Sequence, residues 1–547
     1  MHDWTTHDVD NVVDAPTGYN LYDTDLALRE AVLREGAAWA DDTLHGIGAE
    51  LGQPRQGELA RLANACEPQA QPYDAQGRRV DRLQFHPAWH ELMRDIWRRG
   101  LHCSAWAQPR DGGFVARAAA FVLQGQLEAG TLCPTTMTFA AVPLLREQPG
   151  LWPHLQEHLF SADYDAADAP LESKRGMLVG MGLTEKQGGS DLRAASTRAR
   201  PAQGPGGPGQ AYALVGHKWF FSAPQADAHL VLARVAEDTP SCFYVPRWLA
   251  DGRRNAVRVR RLKDKLGNRS NASAEVEFED AWGVLVGEPG RGIPTLLRMA
   301  HYTRMDNVLG STALLRAGLV QALHHARRRR AFGKALEEHA PMQAVLADLA
   351  LEVEAATALA LRLASSFDRS GGDPLAAALQ RVLVPAAKFW VCKRAVAALA
   401  ECMEVLGGNG YVEEQVMPRL LREAPVNSIW EGSGNVVALD VLRALRSEPE
   451  AMLALREWLH AQPGLPRQAL HDLDALCARA LQDTSLARLV AQQLVLLVQT
   501  ALLQAHAPQP VADAFCATRL GRGGFVFGAS GAIGDAAQLL RRAWPMD

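Results

Sequence analysis

The spacing of hydrophobic residues changes twice along the chain. Between residues 21 and 175, apolar positions recur every three or four residues, as in the run that begins at Leu26 behind the capping residue Asp25, and this spacing predicts helices. From about Gly176 to residue 290, short runs rich in β-branched and aromatic residues alternate with turn residues, which predicts an antiparallel sheet or barrel. The helical spacing returns at Ile293 and continues, interrupted by prolines, through the rest of the sequence.

This order predicts a mainly α fold with a central β domain. The predicted domains are 1–175 (helical), 176–290 (β-barrel), 291–446 (helical bundle) and 447–547 (an extra helical domain). The predicted strands are Ala211–Ser222, His229–Val235, Ser241–Val245, Ala256–Leu262 and Ala274–Phe278, and the long helices are 308–330 and 342–369. Strands and helices do not alternate, so a Rossmann arrangement is not expected. The glycine-rich segment 525–534 is therefore interpreted as a loop between helices, because no returning strand with an acidic residue follows it.

Net charge, cysteine spacing and hydropathy exclude several classes of protein. The net charge of −4 excludes an overall polycation, so any contact with nucleic acid requires a local patch. The eight cysteines are scattered without Cys-x-x-Cys pairs or zinc-ligand spacing, which predicts reduced thiols, no metal site and a cytoplasmic protein. The polar segment at residues 1–8 is unlike a signal peptide. Residues 486–503 are apolar but contain Arg488 and several glutamines, which favours a buried helix over a membrane span.

A single carboxylate, Glu431, lies between Trp430 and Gly432, downstream of the glycine-rich loop Gly407–Tyr411. Glycines let backbone and ligand approach closely, so this carboxylate is a candidate general base. The alternative is a structural ion pair. Four further segments carry candidate ligand contacts: 181–191, 216–222, Arg329 with Phe332 and Gly333, and 407–411. Ordinary turns, core aromatic residues and a solvated arginine-rich helix end are the alternatives there.

In this order and spacing, the motifs resemble the acyl-CoA dehydrogenase family of flavoproteins over nearly the whole chain. The resemblance implies FAD as cofactor, an acyl-CoA or similar small molecule as substrate, and a homotetramer without membrane association. It also implies the family's fold, with a helical N-terminal domain, an antiparallel β-barrel and a C-terminal helical bundle. Glu431 falls at the position of the base that removes the proton next to the thioester carbonyl. Some relatives carry the base on an earlier helix beside an arginine, but here Thr303 precedes Arg304.

The same resemblance assigns the ligand contacts. Arg329 is expected to reach a flavin phosphate of a neighbouring subunit, and Phe221 has burial in the core as its alternative. The expected flavin contacts are Met181, Leu183, Thr184, Gly189, Ser190, Phe220, Phe221, Ser222, Arg329, Phe332, Gln343, Gly407, Gly408, Asn427, Trp430 and Ser433. The expected substrate contacts are Thr184, Ser190, Ser222 and Arg304.

Segments 261–273 and 425–435 and the extra section 447–547 resemble the branch of this family connected with the adaptive response to DNA alkylation. That branch implies weak dehydrogenase-type activity together with binding or protection of double-stranded DNA, independent of sequence. The section 447–547 has eight arginines, no lysine and nine acidic residues, so its composition gives no electrostatic footprint for DNA. The predicted patch consists of Arg443, Arg446, Arg519, Arg522, Arg541 and Arg542. The alternative is a fully active short- or branched-chain acyl-CoA dehydrogenase of fatty or amino acid catabolism without a DNA role.

Overall fold

The computed structural model describes residues 6–235, 240–369, 372–521, 524–531 and 533–546. It confirms a mainly helical chain with a β domain in the middle of the sequence. The α-helices of these residues are Leu26–Arg34, Asp41–Leu51, Pro54–Ala65, Pro87–Arg98, Ser104–Ala107, Gly113–Leu127, Leu132–Arg146, Trp152–Phe160, Gly292–Arg328, Ala340–Asp368, Pro374–Ala378, Val384–Val405, Met417–Asn427, Gly434–Ser447, Pro449–His460, Arg467–Ala480, Ala487–His506, Gln509–Arg519 and Ala536–Ala543.

The central strands close into a barrel. They are Val179–Gly182, Arg198–Pro201, Ala211–Ser222, Ala228–Val235, Pro240–Pro246, Val257–Leu262 and Ser273–Val286. Ala228–Val235 pairs with Pro240–Pro246 in addition to its neighbours on the other edge, which completes the ring. The antiparallel prediction holds for the long strands, but the short strands Val179–Gly182 and Arg198–Pro201 pair in parallel with Ala228–Val235. Four residues are too few for a hydrophobic pattern to reveal such strands.

Strand parity decides which side chains of the barrel are available to a ligand. Ala211–Ser222 pairs with Ser273–Val286, with Phe221 opposite Ala274 and Ser222 opposite Ser273. Successive side chains of a strand point to opposite faces. Phe221 is accordingly buried in the barrel core, whereas Phe220 is 52% exposed.

One other element differs from the prediction, and one predicted element is confirmed. A β-hairpin, Gln69–Tyr73 with Arg79–Gln84, lies inside the section predicted to be wholly helical. The apolar segment 486–503 forms the helix Ala487–His506. Among the described residues, this is the region long and apolar enough to cross a membrane, but 72% of its most apolar window is buried inside the protein, as in a core helix.

The chain divides into two compact units. One, here called the barrel unit, contains 55–307 and returns at 429–436, and the other, the helical unit, contains 1–54, 308–428 and 437–547. The barrel unit therefore combines a continuous stretch with eight residues from much later in the sequence. The predicted four-domain boundaries stay a prediction.

Candidate functional site

Glu431 adopts a backbone conformation that residues with side chains rarely take. Its φ is 59°, and Gly432 follows with a φ of 104°. A left-handed conformation at a non-glycine residue is uncommon and costs free energy. The contacts of Glu431 in the barrel unit show what maintains it.

Two consecutive residues of helix Gly292–Arg328 hold Glu431. The hydroxyl of Thr303 donates to Oε2 of Glu431 at 2.7 Å, and Nε of Arg304 donates to the main-chain carbonyl of Glu431 at 3.0 Å. Thr303 is 2% exposed and Arg304 9% exposed. One helix therefore fixes both the carboxylate and the backbone of the candidate base. Arg304 thus positions Glu431, and the substrate contact expected of Arg304 stays a prediction.

A buried ion pair fixes the next turn of the same helix. Both terminal nitrogens of Arg117 donate hydrogen bonds to the carboxylate of Asp306, at 2.7 Å each. The hydroxyl of Thr136 donates a third hydrogen bond to this carboxylate at 2.7 Å. Arg117 also lies 3.6 Å from the ring centroid of Phe139. Bidentate pairs of this kind give geometric specificity, so the helix turn that carries Thr303 has a defined position.

The surroundings of Glu431 fit a flat, aromatic ligand. Met181, Leu183 and Trp430 are partly buried and pack on one apolar cluster of the barrel unit. The indole N–H of Trp430 is buried and has no acceptor among the described residues. A partly open apolar surface with one unsatisfied donor is the kind of environment in which an aromatic ring with polar edge atoms binds.

The strand Ala211–Ser222 corrects one expected flavin contact. Phe221 is 1% exposed and stacks on His229 with ring centroids 3.8 Å apart. A β-carbon on Gly182 would lie 2.6 Å from the Phe221 ring, so glycine is required there for this packing. Phe221 is a core residue, while Phe220 and Ser222, on the opposite face, stay candidate contacts.

Cys133 lies close to this site. Burial raises the pKa of the Cys133 thiol to about 12, and the charge of Glu431 acts in the same direction, whereas Lys265 and hydrogen bonds with Ser222 and Asn271 act against it. The thiol is therefore protonated near neutral pH, and it packs beside the site without the character of a nucleophile.

A buried ion pair joins the loop after Thr184 to the strand that carries Phe220. Lys218 donates to Glu185 at 2.7 Å, with exposures of 0% and 1%. Burial alone would raise the pKa of Glu185, but the ammonium of Lys218 and the hydroxyl of Thr197 hold it well below its usual range. The neighbouring N–H of Trp219 donates to the carbonyl of Thr184 at 2.9 Å.

Gly189 and Ser190, the other expected contacts on the loop after Thr184, lie close to that residue in the chain. A β-carbon on Gly189 would lie 2.4 Å from Oγ1 of Thr184, so the loop folds closely over that hydroxyl. Ser190 is exposed on the same loop, and Ser433, two residues after Glu431, is exposed as well. Thr184, Gly189, Ser190 and Ser433 all belong to the barrel unit.

The other expected cofactor residues belong to the helical unit. Phe332 is 96% exposed at the turn of the hairpin formed by Arg330–Ala331 and Lys334–Ala335, and a terminal nitrogen of Arg329 donates to the carbonyl of Asn11. Gly407 and Gly408 are exposed in the short helical turn Gly407–Tyr411. Gln343 lies in the first turn of Ala340–Asp368, and Asn427 is the buried last residue of Met417–Asn427.

The arginines predicted to contact DNA are not equivalent. Arg519 is buried between Asp348 and Glu352, at 2.6 and 3.0 Å, and Arg542 pairs with Glu30 and Glu354, at 2.6 and 2.8 Å. Both are corrected, because each guanidinium is held between two carboxylates and would have to give up these ion pairs to bind a phosphate. Arg443 and Arg446 are exposed, although Arg443 pairs with Asp440 and Arg446 donates to the carbonyl of Leu481. Arg541 is exposed, and Arg522 lies outside the described residues.

Thr303 and Lys218 were missed as functional candidates. In the sequence, Thr303 was notable only because it stands where some relatives carry a carboxylate. In the structure its hydroxyl donates a hydrogen bond to Glu431, which lies 128 positions later in the chain. Its place directly before Arg304 was the available signal. Lys218 was visible inside the segment 216–222, but nothing in that segment indicates its buried partner.

Comparison with protein-family models gives three consecutive matches. Residues 11–166 match the adaptive response protein AidB N-terminal domain, 180–281 the acyl-CoA dehydrogenase middle domain and 290–446 the acyl-CoA dehydrogenase C-terminal domain. Together they cover most of the chain, including Glu431.

Individual relatives agree with these matches. "Putative acyl-CoA dehydrogenase AidB" of Escherichia coli K12 is 49% identical over 530 residues, which are 96% of each chain. The mitochondrial short-chain specific acyl-CoA dehydrogenase of Bos taurus is 31% identical over 48% of this chain and 63% of its own. The crystal structure of Caenorhabditis elegans ACDH-11 in complex with C11-CoA superimposes with a TM-score of 0.84 at 25% identity, covering 100% of this chain and 94% of that one.

Proposed function

Because the chain belongs to the acyl-CoA dehydrogenase family, in its AidB branch, we propose that it is an oxidoreductase that removes a proton and a hydride from an acyl-CoA thioester. FAD is the cofactor of this family. The observation that carries the proposal is the strained carboxylate of Glu431, held by Thr303 and Arg304. Strain maintained by several contacts is typical of functional groups that must be placed accurately.

In the proposed reaction Glu431 takes the proton from the carbon next to the thioester carbonyl, and this proton ends on the carboxylate. Thr303 keeps Oε2 of Glu431 oriented, and Arg304 keeps the main chain of Glu431 in place. FAD, when bound, supplies the acceptor for the hydride that leaves the neighbouring carbon. Thr184, Ser190 and Ser222 would hold its polar groups, and Trp430 would supply an N–H at its edge. Arg329 would hold a phosphate of the FAD bound by a neighbouring subunit.

An anaerobic flavin spectrum during titration with straight and branched acyl-CoAs tests this function. The oxidised flavin band should bleach with at least one of them, and in Glu431→Gln it should persist while the flavin content stays the same. Glu450→Gln, at an exposed glutamate of helix Pro449–His460, is the matched control and should bleach like the wild type. Bleaching in Glu431→Gln at the wild-type rate would contradict the role of Glu431.

The choice of thioesters follows from the comparisons. ACDH-11 was crystallised with C11-CoA, which supports including medium-length acyl chains. The purely catabolic alternative is not favoured, because the 49% identical relative matches over nearly all of both chains whereas the short-chain specific enzyme matches over about half of this one.

A second proposed partner is double-stranded DNA, in a role that protects it against alkylation. The match of residues 11–166 to an adaptive response protein supports it. With Arg519 and Arg542 paired to carboxylates, the proposed contacts are Arg443, Arg446 and Arg541, together with Arg522, which lies outside the described residues. Phosphate contacts of this kind are independent of sequence and weaken steeply with salt.

Duplex binding measured against salt concentration tests the DNA proposal. Arg443→Ala combined with Arg446→Ala should weaken binding and lower the salt slope by about two, since each arginine neutralises about one phosphate. Flavin reduction by acyl-CoA should be unchanged in this variant. Unaltered DNA affinity would overturn the proposed patch.

The homotetramer is likewise proposed, supported by the 96% exposed Phe332 of the helical unit. The cytoplasmic location stays a prediction that cell fractionation would check.

A further inference from the structure

Residues 6–18 form an extended segment without helix or strand, here called the N-terminal strap. It belongs to the helical unit, and its end is fixed by the N–H of Gly18, which donates to the carbonyl of Gly52 at 2.9 Å. The sequence alone gave this segment no role. In the structure it reaches two of the segments that carry expected cofactor residues.

The first contact is made by Asn11. Its Nδ2 donates to the carbonyl of Arg330 at 2.9 Å, and the N–H of Arg330 donates to its Oδ1 at 2.8 Å. The side-chain amide thus pairs with both main-chain groups of Arg330, as a neighbouring strand would. Asn11 has a φ of 51°, a conformation that asparagine tolerates better than most residues.

The main chain of Asn11 also orients Arg329. A terminal nitrogen of Arg329 donates to the carbonyl of Asn11. A guanidinium has five donors, so one bond of this kind fixes its direction and leaves donors for a bidentate contact with phosphate. Asn11 therefore contacts both arginines: its side chain binds the main chain of Arg330, and its main-chain carbonyl binds the side chain of Arg329.

The second contact lies a few residues further along the strap. His324 donates from Nε2 to the carbonyl of Asp14 at 3.0 Å and accepts from Arg328 at Nδ1 at 3.0 Å. The strap residues 13–16 line a small cavity of about 20 Å³ together with Leu406 and Asn409 of the glycine-rich loop region. The strap thus connects the arginine segment with the loop Gly407–Tyr411.

We propose that Asn11 is a positioning residue for the FAD phosphate contact of Arg329, and that the N-terminal strap is part of the cofactor site. This inference rests on the proposed function, because Arg329 has a phosphate to bind only if the chain takes FAD. Asn11 itself touches Arg329 and Arg330 and acts through them.

The test is the dissociation constant of FAD, measured by fluorescence on reconstituted apoprotein. Asn11→Gly keeps the left-handed conformation and removes the amide, so FAD should bind about tenfold more weakly or worse, as the loss of two hydrogen bonds implies. Val9→Ala, at a residue 77% exposed on the same strap, should bind FAD like the wild type. If Asn11→Gly does not fold, Asn11→Asp replaces it, since this variant keeps the acceptor for Arg330 and loses only the donor.

A double-mutant cycle separates positioning from general stabilisation. In an Arg329→Gln background, Asn11→Gly should change FAD affinity less than about twofold, because its effect passes through Arg329. Additive losses would overturn the proposal, as would wild-type affinity in Asn11→Gly. A wild-type chain that binds no FAD would instead overturn the proposed function, so the two failures are distinguishable.

Discussion

Glu431 combines backbone strain with two hydrogen bonds from one helix, and this combination determines how its chemistry responds to mutation. The hydroxyl of Thr303 donates to Oε2 of this carboxylate. A donor to a carboxylate stabilises its ionised state, and hydrogen bonds to charged groups contribute about 1.5–3 kcal/mol. Thr303 should therefore set the pH at which the base becomes active.

Thr303→Val should move the acid limb of the pH profile of kcat/KM to higher pH by roughly one unit or more, because about 1.4 kcal/mol corresponds to one pH unit. The measurement is flavin reduction by acyl-CoA between pH 5 and 9, with flavin content checked in parallel. Thr303→Ser keeps the hydroxyl and should keep the wild-type profile. A uniform loss of rate without displacement of the limb would contradict this role.

At this scale, the sequence identifies candidate residues where the chemistry is local, and prediction failed where the role of a residue depends on the direction of its side chain. Glu431 is a candidate base because it lies in a turn with Gly432 and Gly434. The inward direction of Phe221 follows from strand parity, which requires a known register. Arg519 and Arg542 look like free cations in sequence, since their acidic partners lie far away along the chain.

At the scale of elements, the Glu185–Lys218 pair fastens the loop after Thr184 to the strand Ala211–Ser222. Lys218→Met should destabilise the protein by about 3–5 kcal/mol, because it leaves a buried carboxylate without its partner. Thermal unfolding would report this as a lowered Tm. Lys186→Met, at the exposed lysine next to Glu185, should change the Tm little. Combining Lys218→Met with Glu185→Gln should recover part of the lost stability, because no charged carboxylate is then left buried. A Tm for Lys218→Met equal to that of the wild type would contradict the pairing.

A second prediction at this scale concerns the loss of folding stability at acidic pH. Burial lowers the pKa of His229 to about 3 from 6.5, so below 6.5 the unfolded chain binds a proton that the folded chain does not. Stability should then fall as pH decreases from 6.5 towards 3, by about 1.4 kcal/mol per pH unit for this histidine.

Unfolding free energies at several pH values measure the slope. His229→Gln should reduce it by about 1.4 kcal/mol per pH unit whatever its stability at neutral pH, whereas His154→Gln, at an exposed histidine, should not. An unchanged slope in His229→Gln would contradict the effect.

The elements themselves were predicted well where they are long. Ala211–Ser222 was predicted with its observed bounds. The helices predicted over 308–330 and 342–369 correspond to Gly292–Arg328 and Ala340–Asp368, which begin earlier and end one or two residues before the predicted ends. The hairpin at 69–84 and the two short parallel strands were missed. Short elements are fixed by tertiary pairing, which a local pattern does not contain.

At the scale of the whole molecule, assembly can be tested through Phe332. A phenylalanine that is 96% exposed is expected to bury its ring against another subunit in the proposed tetramer. Phe332→Ser should shift the mass measured by light scattering towards smaller species and lower the flavin content. Leu453→Ser, at a leucine 54% exposed on Pro449–His460, is the matched control. An unchanged mass for Phe332→Ser would argue against this contact.

The overall architecture was predictable from two local features of the sequence. One is the order of helical and strand-rich stretches, and the other is the order of the five motifs. The extent of the barrel unit was not, since residues 429–436 join it from a distance. No local pattern identifies a segment that leaves one compact unit and contributes to another.

That late return has a consequence for protein synthesis. A ribosome that has delivered residues 55–307 has made every strand of the barrel and the helix turn with Thr303, but not the base. In the proposed reaction, catalysis requires that more than a hundred further residues leave the exit tunnel and that residues 429–436 join the barrel unit. Translation products that stop before residue 431 would thus lack the proposed base, and synthesis of residues 429–436 is the step that supplies it.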